Sequence, residues 1–457
     1  MPRFLLLFFA ASCLHAGPFD TLWTMTAGAD GHDKIYDLAQ DTGGFIVGTG
    51  ISDNPDQYDV YLIKVNRGGN TVFERRFDES NGSSDYGYSI AVDGNGNYIV
   101  AGYTDAYGTR DLLVIKVEPD SGNIIWKRTY GWGESDYARA VAVAPDGNYL
   151  IAGYTYSFND NTADILLLKV DSADGDILWS RVLESPSMHY KATSMVLDPS
   201  GNIFIGGYLN NDDYSMVDGF ILKLSPSGDS LWGLEWGGTG TDIVWDLILD
   251  SGGNVVVAGY TDSYSPYFDA WILKVDTAYG NLLMESLAGG AGDDGTYSIF
   301  EADGRYILAG HTTSYGARNS AALMLEVDTS SGEILDSAMV DWPRSEAIYS
   351  SMHLDDGTFI FGGYTSSGDS YPADALLIRT RGTALTGKGE ASANITVSPE
   401  HGGIMVKSRR RIRIRIISPD GRRIMEIPVM GKRFIDLSPG LYIIRTDGGQ
   451  SIKVPVR

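Results

Sequence analysis

The residues of this chain that could bond to or transform a ligand are of few types, and most of them recur. His32, His189, His311, His353 and His401 stand at unrelated places and share no spacing that would hold a metal ion or build a nucleophile and its base. Aspartates behave differently. One series is Asp33, Asp85, Asp136, Asp242 and Asp294, and a second is Asp59, Asp111, Asp164, Asp218, Asp269 and Asp374. Aromatic residues accompany them: Tyr107, Tyr156, Phe158, Tyr214, Tyr264, Tyr267, Tyr315 and Tyr371, with Trp132, Tyr137 and Trp236. Flat rings beside carboxylates suit the apolar faces and hydroxyls of a sugar, or a cationic group held by ring quadrupoles. The candidate ligand-binding set is therefore Trp132, Tyr137 and Trp236 as anchors, with Tyr107, Tyr156, Tyr264, Asp85, Asp136, Asp242 and Asp294. Repetition supports a second reading, in which each Asp accepts backbone N–H groups and fixes its own loop. No Asp or Glu stands outside the repeat as a singular catalytic acid would, and no cofactor or metal set is evident.

These residues are positioned by a phrase that keeps returning. "AGYTDAYGTRDLLVIKV" at 101–117 is paraphrased at 152–170, 206–224, 258–275, 309–327 and 362–380, with a blurred first copy at 47–65. Anchoring on Gly48, Gly102, Gly153, Gly207, Gly259, Gly310 and Gly363 gives a spacing of 51 to 54 residues. Seven copies at that period mean a propeller or a solenoid. Within a copy, turn residues punctuate four strand-like runs, a to d; in the second copy these are 86–92, 97–104, 111–117 and 123–130. Four antiparallel strands with tight a–b and c–d turns are a propeller blade. The expected fold is an all-β seven-bladed propeller over 17–381, with strand b near the axis and the repeated Gly admitting a neighbouring backbone. The last copy ends after strand c, and an unpartnered run at 21–28 precedes the first. Their pairing would close the ring and remove two exposed edges, giving a monomer. In such a meander the long b–c and d–a loops share one end of the ring, which is where function is expected.

Composition bounds the partners. The chain of 457 residues carries a formal charge of −24, yet residues 391–457 hold 13 Lys+Arg against 5 Asp+Glu. An acidic body argues against nucleic acid, whose phosphates need basic side chains. "MPRFLLLFFAASCLHAG" has the pattern of a signal peptide over 1–16, too short to span a bilayer. Cleavage after Ala16 would remove Cys13, the only cysteine; lipidation of Cys13 is the alternative. A Gly, Ser and Ala rich linker at 382–394 leads to a small β-sandwich, Ig-like domain at 395–457, where Arg411, Arg413 and Arg415 alternate with Ile412, Ile414 and Ile416.

"FIDLSPGLYIIRTDGGQSIKVPVR" at 434–457 resembles the C-terminal sorting domain of the type IX secretion system. The repeats are similar to secreted arrays attached to such domains, most clearly over Trp126 to Val170. The resemblance implies export machinery as a partner and a secreted or surface-attached bacterial protein. "DSADGDILW" at 171–179 is similar to the Trp-bearing blade motif of quinoprotein dehydrogenases, but seven copies and the absence of adjacent cysteines weigh against that enzyme. "DGNGN" at 93–97 resembles part of a calcium loop and reads as a plain β-turn. The expected function is non-catalytic binding or adhesion to a polysaccharide or glycoprotein; the alternative is a propeller enzyme, glycoside-active or quinoprotein-like.

Overall fold

The computed structural model describes residues 19–28, 31–54, 57–79, 82–158, 162–185, 187–211, 214–342, 345–366 and 373–382, together with the backbone of five strands within 395–456. The signal-peptide expectation, Cys13, Tyr371, His401, the linker and the side chains of Arg411, Arg413 and Arg415 lie outside the described residues. Two compact units divide the chain, one ending at Gly382 and one beginning at Thr383.

The first unit is a ring of seven four-stranded antiparallel sheets. Blade 2 runs Asp85–Val92, Tyr98–Thr104, Asp111–Val117 and Ile124–Tyr130, and the other blades repeat it with strands a starting at Lys34, Asp136, His189, Asp242, Asp294 and Ser345. Blade 7 takes its outer strand from the start of the chain. Phe19–Ala27 pairs with Ala373–Gly382, and Phe19 packs its ring edge-on against Phe359 and Phe361. Strands b and c are buried at every position in blade 2, so both faces of the sheet are covered. Each core cluster spans two blades; Ile99 and Val114 of blade 2, for instance, pack with Tyr149, Ile151 and Leu166 of blade 3.

Two details differ from the expectation. Strand a, not strand b, is innermost, because it forms one edge of every sheet and is joined to the strands a on either side. Ile90 N–H donates to Asp37 (2.9 Å), Val141 N–H to Ser89 Oγ (3.2 Å), Ile299 N–H to Asp246 (3.0 Å) and Ser351 N–H to Ser298 Oγ (2.9 Å). Leu38 N–H closes this belt onto Ser350 Oγ of blade 7 (3.1 Å). The first-copy anchor is Gly50 rather than Gly48, since Gly50 pairs with Ile35 as Gly102 pairs with Gly87.

The repeated phrase now resolves into separate jobs. A Cβ on Gly50, Gly102, Gly153 or Gly259 would fall onto a carbonyl oxygen of strand a (Lys34, Tyr86, Tyr137 and Ile243 respectively), so only Gly fits. The close approach occurs at a β-bulge that follows in each strand a, between Gly87 and Ser89 in blade 2 and between Ala138 and Ala140 in blade 3. The Lys of "IKV" or "LKV" pairs with an Asp of its own blade and donates to a carbonyl of the next, Lys64 to Pro119, Lys116 to Ser172 and Lys274 to Thr329. Lys64 meets Asp41 (3.0 Å), Lys116 meets Asp93 (3.2 Å) and Lys274 meets Asp250 (2.8 Å). Tyr98, Tyr149 and Tyr306 of the following blades donate their hydroxyls to these same carboxylates. The Trp of strand d is structural too: Trp126 lies on Gly175 and Trp179 on Gly228, two turn glycines with φ near +80° that admit the ring because they lack a side chain.

In the second unit five strands form one hydrogen-bonded antiparallel sheet. Gly403–Ile417 pairs along one side with Arg423–Asp436 and on the other with Ile395–Glu400 and then Gly440–Thr446, which carries Ser451–Val456. The expected division into two sandwich layers rests on side chains outside the described residues.

Candidate functional site at the axial mouth

The bulge gives each strand a one residue without a cross-strand partner. Those residues are Tyr36, Tyr88, Arg139, Thr193, Trp245, Tyr297 and Tyr349, one per blade, on the innermost strands. Five aromatics touch in an arc: Trp245 with Tyr297 (ring centroids 5.6 Å), Tyr297 with Tyr349 (5.3 Å), Tyr349 with Tyr36 (5.4 Å) and Tyr36 with Tyr88 (5.2 Å). Arg139 fills the gap in blade 3, its guanidinium 3.9 Å above the ring of Tyr88. All seven are half-buried, so each shows part of its surface at the axis.

A second ring lies toward the long-loop end and is built by the residue after each repeated Gly: Ile51, Tyr103, Tyr154, Tyr208, Tyr260, His311 and Tyr364. Tyr103 stacks on Tyr86 and Tyr154 on Tyr137 (both 4.6 Å), Tyr103 meets Tyr137 edge-on at 5.1 Å, and His311 stacks on Tyr297 at 5.4 Å. Lys34 stands over Tyr364 (4.6 Å), and Lys191 donates to the Tyr214 hydroxyl at 3.2 Å. Arg110 donates to the Tyr137 hydroxyl (2.7 Å). No Asp or Glu occupies either ring. Burial raises the phenols of Tyr36, Tyr154 and Tyr297 far above their ordinary value, so they remain neutral donors and acceptors. Burial also lowers His311, although Asp294 and Asp293 oppose it, and its buried Nδ1 has no partner among the described residues. One step deeper, Asp37 and Asp246 serve the inter-blade belt. Burial raises both, Asp246 to about 6.

The sequence-derived candidates fall in four places. Tyr137 belongs to the axial mouth, and Tyr156 stands beside it, against Tyr154 (6.1 Å) and His189 (6.0 Å). Trp236 and Tyr264 lie toward the rim: Trp236 ends an outermost strand, and both bond Glu285. Tyr107 lines a shallow rim groove of about 670 Å³ on blade 2 with Glu79, Thr109, Asp111 and Lys127. Trp132 packs against Phe158 and the core between blades 2 and 3. Asp85, Asp136, Asp242 and Asp294 are fully buried. Asp136 accepts from Thr155, Ser157 and the Trp132 amide, Asp242 from Thr261, Ser263 and the Gly238 amide, and Asp294 from Thr312, Ser314 and the Gly290 amide. Asp85 accepts from the Glu79 amide in the same way. They anchor d–a loops, and the Thr of "GYT" is the donor that holds them. Asp59, Asp78 and Asp85 approach one another closely enough to share an ion, but as an acidic cluster alone this assigns nothing.

The ring residues on the strands lie outside the sequence-derived candidates, because a residue repeated within a strand looks the same whether it packs or faces the axis. Aligning the copies on "KIYDL", "YGYSI", "YARAV" and "IVWDL" would have isolated a column of Tyr, Tyr, Arg and Trp. That column is the bulge.

No family model and no curated protein matches the chain. Solved structures do. The polysaccharide lyase Uly1 matches with a TM-score of 0.50 at 11% identity, covering 78% of this chain and 91% of that one. The WD40 β-propeller domain of Doa1 matches with a TM-score of 0.49 at 14% identity, covering 79% and 96%. A Penicillium chrysogenum α-L-arabinanase bound to arabinobiose matches with a TM-score of 0.45 at 10% identity, covering 79% and 98%. At such identities the likeness is one of fold: the first unit is a β-propeller.

Proposed function

We propose that this protein is an exported binding propeller whose axial mouth, on the long-loop face, takes a carbohydrate. The observation that carries the reading is the double ring of tyrosines: nine of fourteen positions in the two rings are Tyr, on strands a and b of a rigid scaffold. Phenol faces offer apolar area for the C–H faces of a sugar at little entropic cost, and their hydroxyls meet its hydroxyls. Recognition needs nothing more, and no singular acid–base pair suited to glycoside cleavage is assembled among the residues of the two rings. Export is inferred from the leader-like start and from the tail that resembles a sorting domain.

A panel of polysaccharides tested against the full chain by affinity electrophoresis, with product release followed in the same samples, addresses both parts. Retardation by at least one polymer, lost in Tyr137→Ala and Tyr154→Ala but kept in Trp236→Ala, is the expected result. Accumulating cleavage products would make it an enzyme. Binding that survives both Tyr changes would move the site away from the axis.

A further inference from the structure

We infer that the ligand of the axial mouth is an anionic saccharide, bearing carboxylate or sulfate groups, with Arg139 as its recognition residue; this rests on the carbohydrate reading above. The chain is strongly acidic, at −24, yet its two axial rings hold no carboxylate. Cations gather there instead. Arg139 sits in the first ring, while Lys34 and Lys191 flank the second, each over tyrosine rings.

Arg139 is the informative member. Arg139 is half-buried on an innermost strand. Among the described residues Arg139 makes no hydrogen bond and no ion pair. Its one strong contact is the face of the guanidinium on Tyr88, which leaves the five N–H groups along the edge unused. The carboxylates one step deeper are engaged elsewhere: Asp37 accepts from the Leu38 and Ile90 amides and from Ser89 and Ser350, and Asp246 from the Leu247 and Ile299 amides and Ser194. A planar fork of donors matches a carboxylate or sulfate edge, and the tyrosines around it match a sugar ring. A sixth aromatic would fill the arc equally well but would offer no charge and no N–H fork to an anion.

The test uses the full chain with four polymers in two matched pairs: polygalacturonate with its fully methyl-esterified form, and dextran sulfate with dextran. The expected result is binding to a charged member and not to its neutral counterpart; the pair that responds tells carboxylate from sulfate. Arg139→Gln should weaken that binding by at least about 30-fold, and Arg128→Gln, on the outer strand of blade 2, should not change it. A double change Lys34→Gln with Lys191→Gln gives a second reading at least about 10-fold down, should Arg139→Gln fail to fold. Equal binding of charged and neutral members, or wild-type affinity in folded Arg139→Gln, overturns the anionic assignment and leaves carbohydrate binding standing. Absence of binding to every polymer in this set and in the wider panel overturns both.

Discussion

Replacing Phe19 by Ala tests how the ring is closed. Phe19 is 4% exposed and belongs to a cluster with Phe300, Phe359 and Phe361 that joins blades 6 and 7. Its removal takes a full aromatic side chain out of contact and leaves a cavity that the rigid sheets cannot collapse, a cost of about 3–5 kcal/mol. Unfolding entropy near 2.1 cal/mol/K per residue amounts to roughly 0.8 kcal/mol/K for a ring of this size, so about 4 kcal/mol lowers the melting temperature by about 5 °C. Leu22 lies on the same strand and is 41% exposed, so Leu22→Ala should cost under about 0.5 kcal/mol. Calorimetry on the full chain gives both numbers. Edge exposure adds a second readout: loss of the outer strand bares the Ala373–Gly382 edge, and Phe19→Ala should oligomerise before it unfolds. Equal melting temperatures for Phe19→Ala and Leu22→Ala, with both monomeric, would refute closure by the N-terminal strand.

Lys116→Met removes one member of a buried pair and should cost about 3–5 kcal/mol in chemical denaturation, whereas Lys169→Met, whose partner Asp146 is half exposed, should cost under about 1 kcal/mol. Gly153→Ala drives a methyl onto the Tyr137 carbonyl and should abolish folding or cost more than about 3 kcal/mol, while Gly94→Ala, with open space around it, should be silent by the same measurement. Asp246 has its folded-state pKa raised from 3.8 to about 6, so the folded state holds that proton more tightly than the unfolded chain does. The stability it contributes is full below about pH 4 and is lost as pH rises through about 6, by roughly 3 kcal/mol. Asp246→Asn should therefore gain on the wild type across that window, and parallel pH profiles of the two would contradict the assignment.

Most of the architecture was legible in the chain because a repeat solves one packing problem seven times. Glycine punctuation, four runs per copy and mismatched ends suffice for a propeller closed by its first strand, and alternation cannot mislead where both faces of a sheet are covered. Which strand lies at the axis was not legible, since the repeated Gly of strand b points to a close backbone neighbour without saying that this neighbour is strand a of its own sheet, the inner edge. Gly48 and Gly50 show the same limit: two glycines one pleat apart look alike until a facing carbonyl selects one. The site shows the same division. Tyr103, Tyr154 and Tyr208 are visible as a repeated letter, but a letter repeated for packing and one repeated for recognition are the same in sequence. The bulge is a matter of register between two strands, so only the folded sheet could turn Tyr36, Tyr88, Arg139 and Trp245 to one axis and send Asp136, Asp242 and Asp294 into the loops they hold.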